Sequence, residues 1–161
     1  MPHWVIYHPL DTFQDVSTRQ ALAKDITSIY AAVGMPEFYV VVNFIPTPDE
    51  QQFVGGVVAR TRGKPFVRIT IDHIHVNLPK GDTKAYSSIV GRVNATLKPH
   101  IEDKGYDSEY HIAETERLLW NINSLAPPEF KSEDEKVWVK ENRAVPPQEM
   151  EEARKRLNAN L

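Results

Sequence analysis

The sequence contains no cysteine. A disulfide framework, a zinc site built on thiolates and a thiol nucleophile are therefore all excluded. No apolar stretch approaches the ~18 residues that a membrane-spanning helix needs, and the first residues lack the basic region and apolar core of a signal peptide. We therefore expect a cytoplasmic protein that does not partner a membrane.

The sequence also lacks a strong excess of charge of either sign. Its 19 basic and 22 acidic side chains give a net charge of −3, without a long block of like charge. A protein that binds nucleic acid usually carries a basic patch, so we do not expect a nucleic-acid partner. The 161 residues, 41% of them hydrophobic, are enough for one compact domain with an appendage.

The residue that follows Met1 is a proline, Pro2. If Met1 is removed, the ring nitrogen of Pro2 becomes a secondary amine that can act as a base or a nucleophile, which no internal proline can do. A terminal amine has a reference pKa of roughly 7.7–8.0, so a modest depression would leave it neutral at physiological pH. The alternative is a proline that only opens a strand, where its missing N–H does no harm.

The first half of the chain predicts a strand, a helix and a second strand. The first strand spans residues 3–8, and the helix begins at a capping box formed by Ser17 and Gln20 and ends at Gly34. Residues 38–45 are apolar on both faces except for Asn43, a pattern typical of a buried central strand.

The second half repeats this order after an apolar run at 53–59, which Gly55 and Gly56 interrupt with an expected bulge or close backbone approach. Apolar and polar residues alternate through 66–76, which predicts a long strand that places His73 and His75 on its apolar face. Asp82 caps a second helix, and a strand follows at 109–113.

Two βαβ units side by side predict an α+β fold with a four-stranded mixed sheet and two helices on one face. We expect this domain to span residues 2–126. Residues 127–161 form a helical extension that packs on the domain or on a neighbouring subunit, with one small helix capped by Ser132 and Glu135. The uncovered sheet face predicts self-association.

Several segments resemble the tautomerase superfamily, and in particular its cis-3-chloroacrylic acid dehalogenase-like group with the fungal oxalocrotonate tautomerase-like proteins. The segments shared with the whole group are 23–30 (AKDITSIY), 42–44 (VNF), 54–57 (VGGV) and 66–67 (FV). Those shared with the fungal proteins are 72–74 (DHI), 98–100 (KPH), 115–117 (TER), 125–128 (LAPP) and 138–143 (WVKENR).

The resemblance implies a homotrimer without a metal or an organic cofactor, in which the proline nitrogen moves a proton or activates water. Pro2 matches the family's catalytic proline, and Tyr30 falls where the dehalogenases have a histidine. Their two carboxylate-binding arginines fall near Asp72 and His75, so both are missing. Their water-activating glutamate falls near Asn121.

Four residues are the candidates for catalysis: Pro2, Tyr30, His73 and Glu114. One imidazole of the His73 and His75 pair could hold a substrate anion with Asp72 fixing its tautomer, or the pair could be structural. The pair has no third ligand at an obvious spacing, so we expect no metal site. Glu114 could assist proton transfer, although helix capping at Thr115–Glu116 is a simpler interpretation.

The candidates for substrate binding are Arg60, Arg62, His75, Asn121 and Trp120. A carboxylate substrate needs a cationic donor, and the two arginines lie near the proposed pocket in sequence, although a solvated turn would also explain them. Trp120 could equally be a core residue.

The sequence thus predicts an isomerase: a cofactor-independent keto–enol tautomerase acting on a small enol or keto carboxylic acid, with Pro2 as general base. Its expected partners are that small carboxylate or carbonyl substrate and two further copies of the chain. One alternative is a hydratase or dehalogenase of unsaturated acids that uses Pro2 and water. The other is a trimeric binding module without catalysis.

Overall fold

The computed structural model describes residues 2–159. The strands are β1 (His3–Pro9), β2 (Val41–Thr47), β3 (Phe53–Val54), β4 (Val57–Val58), β5 (Phe66–His73) and β6 (Asp107–Glu114). The α-helices are α1 (Val16–Ala31), α2 (Thr83–Leu97), α3 (Glu133–Glu141) and α4 (Met150–Asn158). No helix in this described range is long and apolar enough to cross a membrane.

The main sheet has four strands in the order β2-β1-β5-β6. β1 pairs parallel with β2 and antiparallel with β5, while β5 pairs parallel with β6. The predicted mixed sheet of two βαβ units is therefore confirmed. The prediction that residues 38–45 form a central strand is wrong, because β2 is an edge strand that begins at Val41 and continues through Pro46. An edge position tolerates the missing N–H of a proline.

Helices α1 and α2 pack on one face of the sheet, as predicted. Alternate residues of β1 and β5 point into this layer, and the helices bury one apolar stripe each against them. Asp82 caps α2 by accepting hydrogen bonds from the N–H groups of Lys84 and Ala85. The predicted capping box of α1 is wrong, because the helix starts two residues earlier, with Asp15 at its N-cap. The core they enclose contains Trp4, Ile6, Leu22, Ile26, Val67, Ile69, Ile71, Val93 and Leu97.

The opposite face of the sheet carries exposed or half-buried side chains in rows across the strands. One row runs Ile45–Tyr7–Arg68–Glu109, and the next two run Asn43–Val5–Thr70–His111 and Val41–His3–Asp72–Ala113. Tyr7, Val41 and Ile45 are 38%, 37% and 40% exposed. Polar side chains lie beside them, with His3 bonded to Asn43 and Arg68 bonded to His111. This face is thus a mixture of apolar and polar groups.

The C-terminal segment packs on the domain around a second apolar cluster. Tyr39 is fully buried there against Trp120, with ring centroids 4.9 Å apart, and near Trp138 of α3 at 6.2 Å. Val137, Val145 and Ala153 complete the cluster. Because Tyr39 lies just before β2, this cluster joins the extension to the sheet within one chain.

The glycine pair forms a hairpin rather than the expected bulge or close backbone approach. Gly55 and Gly56 connect β3 to β4 with φ angles of 62° and 82°. Two consecutive residues with positive φ are required in the tight type I′ turn, which explains the two glycines.

Candidate active site

A cavity of about 270 Å³ lies where the beginning of β1 meets the end of β5. These strands are antiparallel, and His3 pairs with Asp72, so Pro2 lies beside His73. Pro2 is buried, and its carbonyl accepts a hydrogen bond from the N–H of Val41. The cavity is lined by Pro2, Tyr30, His73, His75, Arg92 and Lys131 together with the apolar residues Ile29, Val33, Met35, Ile74, Val76, Leu78, Ile89 and Phe130.

A chain of hydrogen bonds runs along one wall of this cavity. The indole N–H of Trp4 donates to the Tyr30 hydroxyl at 2.9 Å, and that hydroxyl lies 2.8 Å from Nε2 of His73. Trp4 can only donate, so the Tyr30 hydroxyl accepts from it and has its own proton to give to His73. The wall therefore joins β1, α1 and β5 through three side chains.

Burial keeps both members of the Tyr30–His73 pair neutral. It raises the pKa of Tyr30 far above its ordinary value, although the Trp4 hydrogen bond and the charge of Arg92 act in the opposite direction. Burial also lowers the pKa of His73, against the opposing charges of Glu114 and Asp72. A neutral His73 that accepts at Nε2 carries its proton on Nδ1, so this atom is a hydrogen-bond donor.

His75 makes a separate buried pair with Glu135 of α3. Its Nε2 lies 2.6 Å from Oε1 of Glu135, and both side chains are 1% exposed. The other carboxylate oxygen accepts from the backbone N–H of Lys131 at 2.5 Å. Nδ1 of His75 is buried and has no hydrogen-bond partner among the described residues. Glu135 thus fixes the His75 ring, whereas Asp72, the residue expected to fix an imidazole, lies on the opposite sheet face beside His3.

Glu114 lies at the end of β6 near the cavity but does not line it. Its Oε1 accepts a hydrogen bond of 2.6 Å from the backbone N–H of Leu78, which does line it. Capping of the following turn is done by Glu116, which accepts from the N–H of Leu118. The charge of Glu114 therefore raises the pKa of His73 against the larger effect of burial, and its hydrogen bond holds the loop that contains Leu78.

Four predicted substrate-binding residues lie elsewhere in the chain: Arg60, Arg62, Trp120 and Asn121. The two arginines belong to the turn before β5, and His73 is the last residue of that eight-residue strand, ~23 Å away at the usual rise. Arg60 is paired with Asp11 at 2.5 Å. Trp120 packs in the second cluster, and Asn121 is exposed beside it. Within one chain, these four positions therefore do not form part of the cavity.

Two cations that the sequence analysis did not select do line the cavity: Arg92 and Lys131. Arg92 lies three residues after Ile89 and one before Val93, at the border of the apolar stripe of α2. That position could have indicated it. Lys131 precedes the N-cap Ser132 in a backbone conformation with φ of 62°, and no sequence pattern pointed to it.

Metal ligands do not cluster in residues 2–159, where no group of three or more histidine, aspartate or glutamate side chains could hold an ion. The two candidate imidazoles have their Nε2 atoms bonded to Tyr30 and Glu135 respectively.

The chain matches the model of one protein family and is similar to several solved structures. The family model described as "Putative oxalocrotonate tautomerase enzyme" matches residues 1–143. RhCC from Rhodococcus jostii RHA1 is 38% identical, with 89% of this chain and 99% of that chain covered and a TM-score of 0.83. A protein of the thermophilic fungus Aspergillus fumigatus, described as "a probable enzyme", is 40% identical over 91% and 97% of the two chains, with a TM-score of 0.79.

The fold also occurs in a more distant protein. A fused 4-OT whose structure is a symmetric trimer is 13% identical over 77% of this chain and 94% of that chain, with a TM-score of 0.58. No curated protein matches the chain. The resemblance to the tautomerase superfamily that the sequence motifs indicated is confirmed by these matches.

Proposed function

The chain belongs to the oxalocrotonate tautomerase family whose model it matches, and we propose that it is a cofactor-independent tautomerase of small keto or enol carboxylic acids, with Pro2 as general base. One observation carries this proposal: Pro2 is buried in the wall of a largely apolar cavity beside the Tyr30–His73 pair. A base and a hydrogen-bond donor in one largely apolar cavity are the two groups that a keto–enol reaction needs.

The proposed reaction moves one proton between carbon and oxygen. The neutral nitrogen of Pro2, freed by removal of Met1, takes a proton from the carbon next to the substrate carbonyl. The electrons of that C–H bond form the new C=C bond, and the carbonyl π electrons move to oxygen. The ammonium of Pro2 then gives this proton to the enolate oxygen, which yields the enol and returns Pro2 to its neutral form. The reverse sequence converts the enol to the ketone.

The oxygen that becomes negative is stabilised by the donor that His73 presents. Because Tyr30 occupies Nε2, the proton of neutral His73 lies on Nδ1, and this N–H is directed to no described protein acceptor. A neutral imidazole can donate a hydrogen bond from this N–H to the developing oxyanion, and the ring does not have to be protonated first. Tyr30 and Trp4 are positioning residues, since they fix the tautomer and the ring orientation.

The apolar lining supports the same function. Hydrogen bonds and charges act more strongly on a developing oxyanion when water is excluded, and eight apolar side chains make most of this cavity wall. Self-association is part of the proposal, because the fused 4-OT of the same fold is a trimer and the open sheet face carries exposed Tyr7, Val41 and Ile45.

Two measurements test the role of Pro2. Intact-mass spectrometry should show that Met1 is absent, and Pro2→Ala should fold normally but lose at least about 100-fold in kcat on phenylpyruvate ketonisation, as expected for loss of a general base. Pro147→Ala, an exposed proline in the extension, is the matched control and should retain full activity. Retained Met1, or undiminished turnover by Pro2→Ala, would contradict the mechanism.

A further inference from the structure

The charged side chains that line the cavity are of one sign. They are Arg92 from α2 and Lys131 from the segment before α3, and the described lining includes no aspartate or glutamate. We infer that Arg92 and Lys131 bind the single carboxylate of a substrate whose apolar body fills the rest of the cavity. The inference rests on the proposed function for the reaction, but the binding itself does not depend on Pro2.

Arg92 is available to a ligand. Among residues 2–159 its guanidinium forms no ion pair or hydrogen bond, whereas Arg60, Arg143 and Arg154 are each paired with carboxylates. Its positive charge lowers the pKa of Tyr30 against the larger effect of burial, so its field reaches the Tyr30–His73 pair. A guanidinium presents a planar fork of donors that matches both oxygens of a carboxylate.

Lys131 is presented to the cavity by a fixed backbone. Its φ of 62° is unusual for a residue other than glycine, and the conformation is held by the hydrogen bond from its N–H to Glu135. Glu135 is in turn fixed by His75, so one buried carboxylate ties Lys131 to the segment that follows β5. The Lys131 ammonium lies 5.1 Å from the centroid of the Phe130 ring and forms no ion pair within the described chain.

The rest of the lining determines which acid fits. Ile29, Val33, Met35, Ile89 and Phe130 offer neither donors nor cations to a second carboxylate, whose burial among them would be costly. The volume of about 270 Å³ is at the small end for ligand pockets. The substrate class is therefore a small monocarboxylic 2-oxo acid with an aryl or alkyl side chain, rather than a dicarboxylate.

Arg92 and Lys131 would take the carboxylate-binding role of the two arginines that are missing near Asp72 and His75. Asp72 points to the open sheet face, and His75 is committed to Glu135. The positive charge is supplied instead by a helix that packs over the sheet and by the C-terminal extension. The extension is thus part of the binding site and not only an appendage.

Calorimetric titration with the unreactive acid 3-phenylpropanoate tests the inference. Arg92→Met and Lys131→Met should each weaken binding by about 10- to 100-fold, the range for loss of a charge-assisted hydrogen bond. The neutral 3-phenylpropanamide should bind weakly to the native protein and equally to both variants. Adipate, a dicarboxylate of similar length, should bind at least about tenfold more weakly than 3-phenylpropanoate, because its second charge must be desolvated.

Matched controls separate this site from general charge and from the proton transfer. Arg154→Met and Lys80→Met remove exposed cations outside the cavity and should leave the affinity unchanged; thermal unfolding measures whether each variant folds. Pro2→Ala should keep its affinity for 3-phenylpropanoate. Unchanged affinity in Arg92→Met and Lys131→Met, or stronger binding of adipate than of 3-phenylpropanoate, overturns the carboxylate site even if Pro2 proves essential. If ligand binding is as expected but Pro2→Ala remains active, only the proposed role of Pro2 is overturned.

Discussion

The hydroxyl of Tyr30 lies 2.8 Å from Nε2 of His73, which joins the end of α1 to the end of β5 at the cavity wall. The two rings meet edge to face, with centroids 5.6 Å apart. Trp4 donates to the same hydroxyl, so Tyr30 is held between two strands that run in opposite directions. When the Tyr30 hydroxyl donates to Nε2, neutral His73 carries its proton on Nδ1.

Tyr30→Phe should lower both stability and turnover. The change leaves the buried N–H of Trp4 and the Nε2 of His73 without partners, which costs about 1–3 kcal/mol in the free energy of unfolding. The kcat should fall about tenfold or more because His73 is no longer held in one tautomer. Urea denaturation and steady-state kinetics on phenylpyruvate measure the two effects.

Tyr110→Phe is the control for this prediction. The Tyr110 hydroxyl of β6 donates to Asn94 of α2 at 2.7 Å, and neither residue lines the cavity. Its loss should destabilise the protein by a similar or smaller amount without changing kcat. Equal turnover by Tyr30→Phe and the native protein would show that Tyr30 does not position the reacting groups.

Stability should fall as the pH drops below about 6.5. Burial lowers the pKa of His73 and of His8, so the unfolded chain binds more protons than the folded chain in the range between the folded and unfolded pKa values. Above about pH 6.5 both imidazoles are neutral in the folded and the unfolded chain, and they do not lower the free energy of unfolding. As the pH falls, the unfolded chain takes up protons first and the free energy of unfolding decreases. The thermal midpoint, measured between pH 8 and pH 5, should decrease on the acid side.

His73→Gln tests whether protonation of His73 causes the decrease in thermal midpoint at acid pH. The variant should show a smaller loss of thermal midpoint between pH 6.5 and pH 5 than the native protein, because one buried imidazole no longer takes up a proton. His100→Gln is the control, since His100 lies outside the cavity, with its ring 2.7 Å from a carboxylate oxygen of Asp25. An identical slope in His73→Gln and the native protein would be evidence against His73 as a source of the acid sensitivity.

The sequence predicted the fold better than it predicted the site. The alternation in 66–76 and the helical spacing in α1 and α2 are local signals, and both βαβ units followed from them, although β5 ends at His73. The position of β2 was missed because its apolar run suits a central strand equally well. The order of strands depends instead on pairing between distant residues, such as His3 with Asp72.

The site depended on the same distant pairing. Pro2, Tyr30 and His73 come together because the start of β1 lies beside the end of β5. Arg60 and Arg62 were expected near the pocket because they are close in sequence to β5. They lie before the first residue of that strand, whereas the cavity lies at its last residue, His73. The pairing of His75 with Glu135 spans 60 positions, and no local pattern reveals it.

Removing the carboxylate of the buried pair should be strongly destabilising. Glu135→Ala leaves His75 and the N–H of Lys131 without an acceptor, in a place where both partner side chains are 1% exposed. Breaking a buried pair by removing one member costs about 3–5 kcal/mol. Chemical denaturation measures the change in unfolding free energy.

The neighbouring pair Asp134–Arg154 provides a surface comparison. These side chains are 42% and 50% exposed and lie 2.6 Å apart, so Asp134→Ala should cost less than about 1 kcal/mol. A cost for Glu135→Ala as small as that of Asp134→Ala would mean that the pair does not anchor the extension.

The open sheet face should be an interface between copies of the chain. Light scattering at micromolar concentration should give about three chain masses. Ile45→Arg should dissociate this assembly, since Ile45 is an exposed apolar residue in the row with Tyr7 on that face. Val16→Arg, at the exposed start of α1, should leave the mass unchanged. A native protein that is monomeric under these conditions would contradict the trimer.

The cavity lining favours proton transfer over hydrolytic dehalogenation. Hydrolytic dehalogenation needs a carboxylate that activates water beside the substrate, and the described lining of this cavity contains none. Glu114 is engaged with the N–H of Leu78, and Asn121 lies outside the cavity. Proton transfer by Pro2 requires no activated water. We therefore expect measurable tautomerisation of phenylpyruvate but negligible chloride release from either isomer of 3-chloroacrylate.

Chloride release is measured by ion chromatography on the same preparations that tautomerise phenylpyruvate, so that inactive protein cannot explain a negative result. Glu114→Gln separates two roles for the one nearby carboxylate. Its amide cannot take a proton from water, although its oxygen can still accept from Leu78. Tautomerisation should therefore survive in Glu114→Gln, because the proposed mechanism uses Pro2 and His73 and not Glu114. Rapid chloride release that disappears in both Pro2→Ala and Glu114→Gln would instead assign water activation to Glu114 and make the protein a dehalogenase.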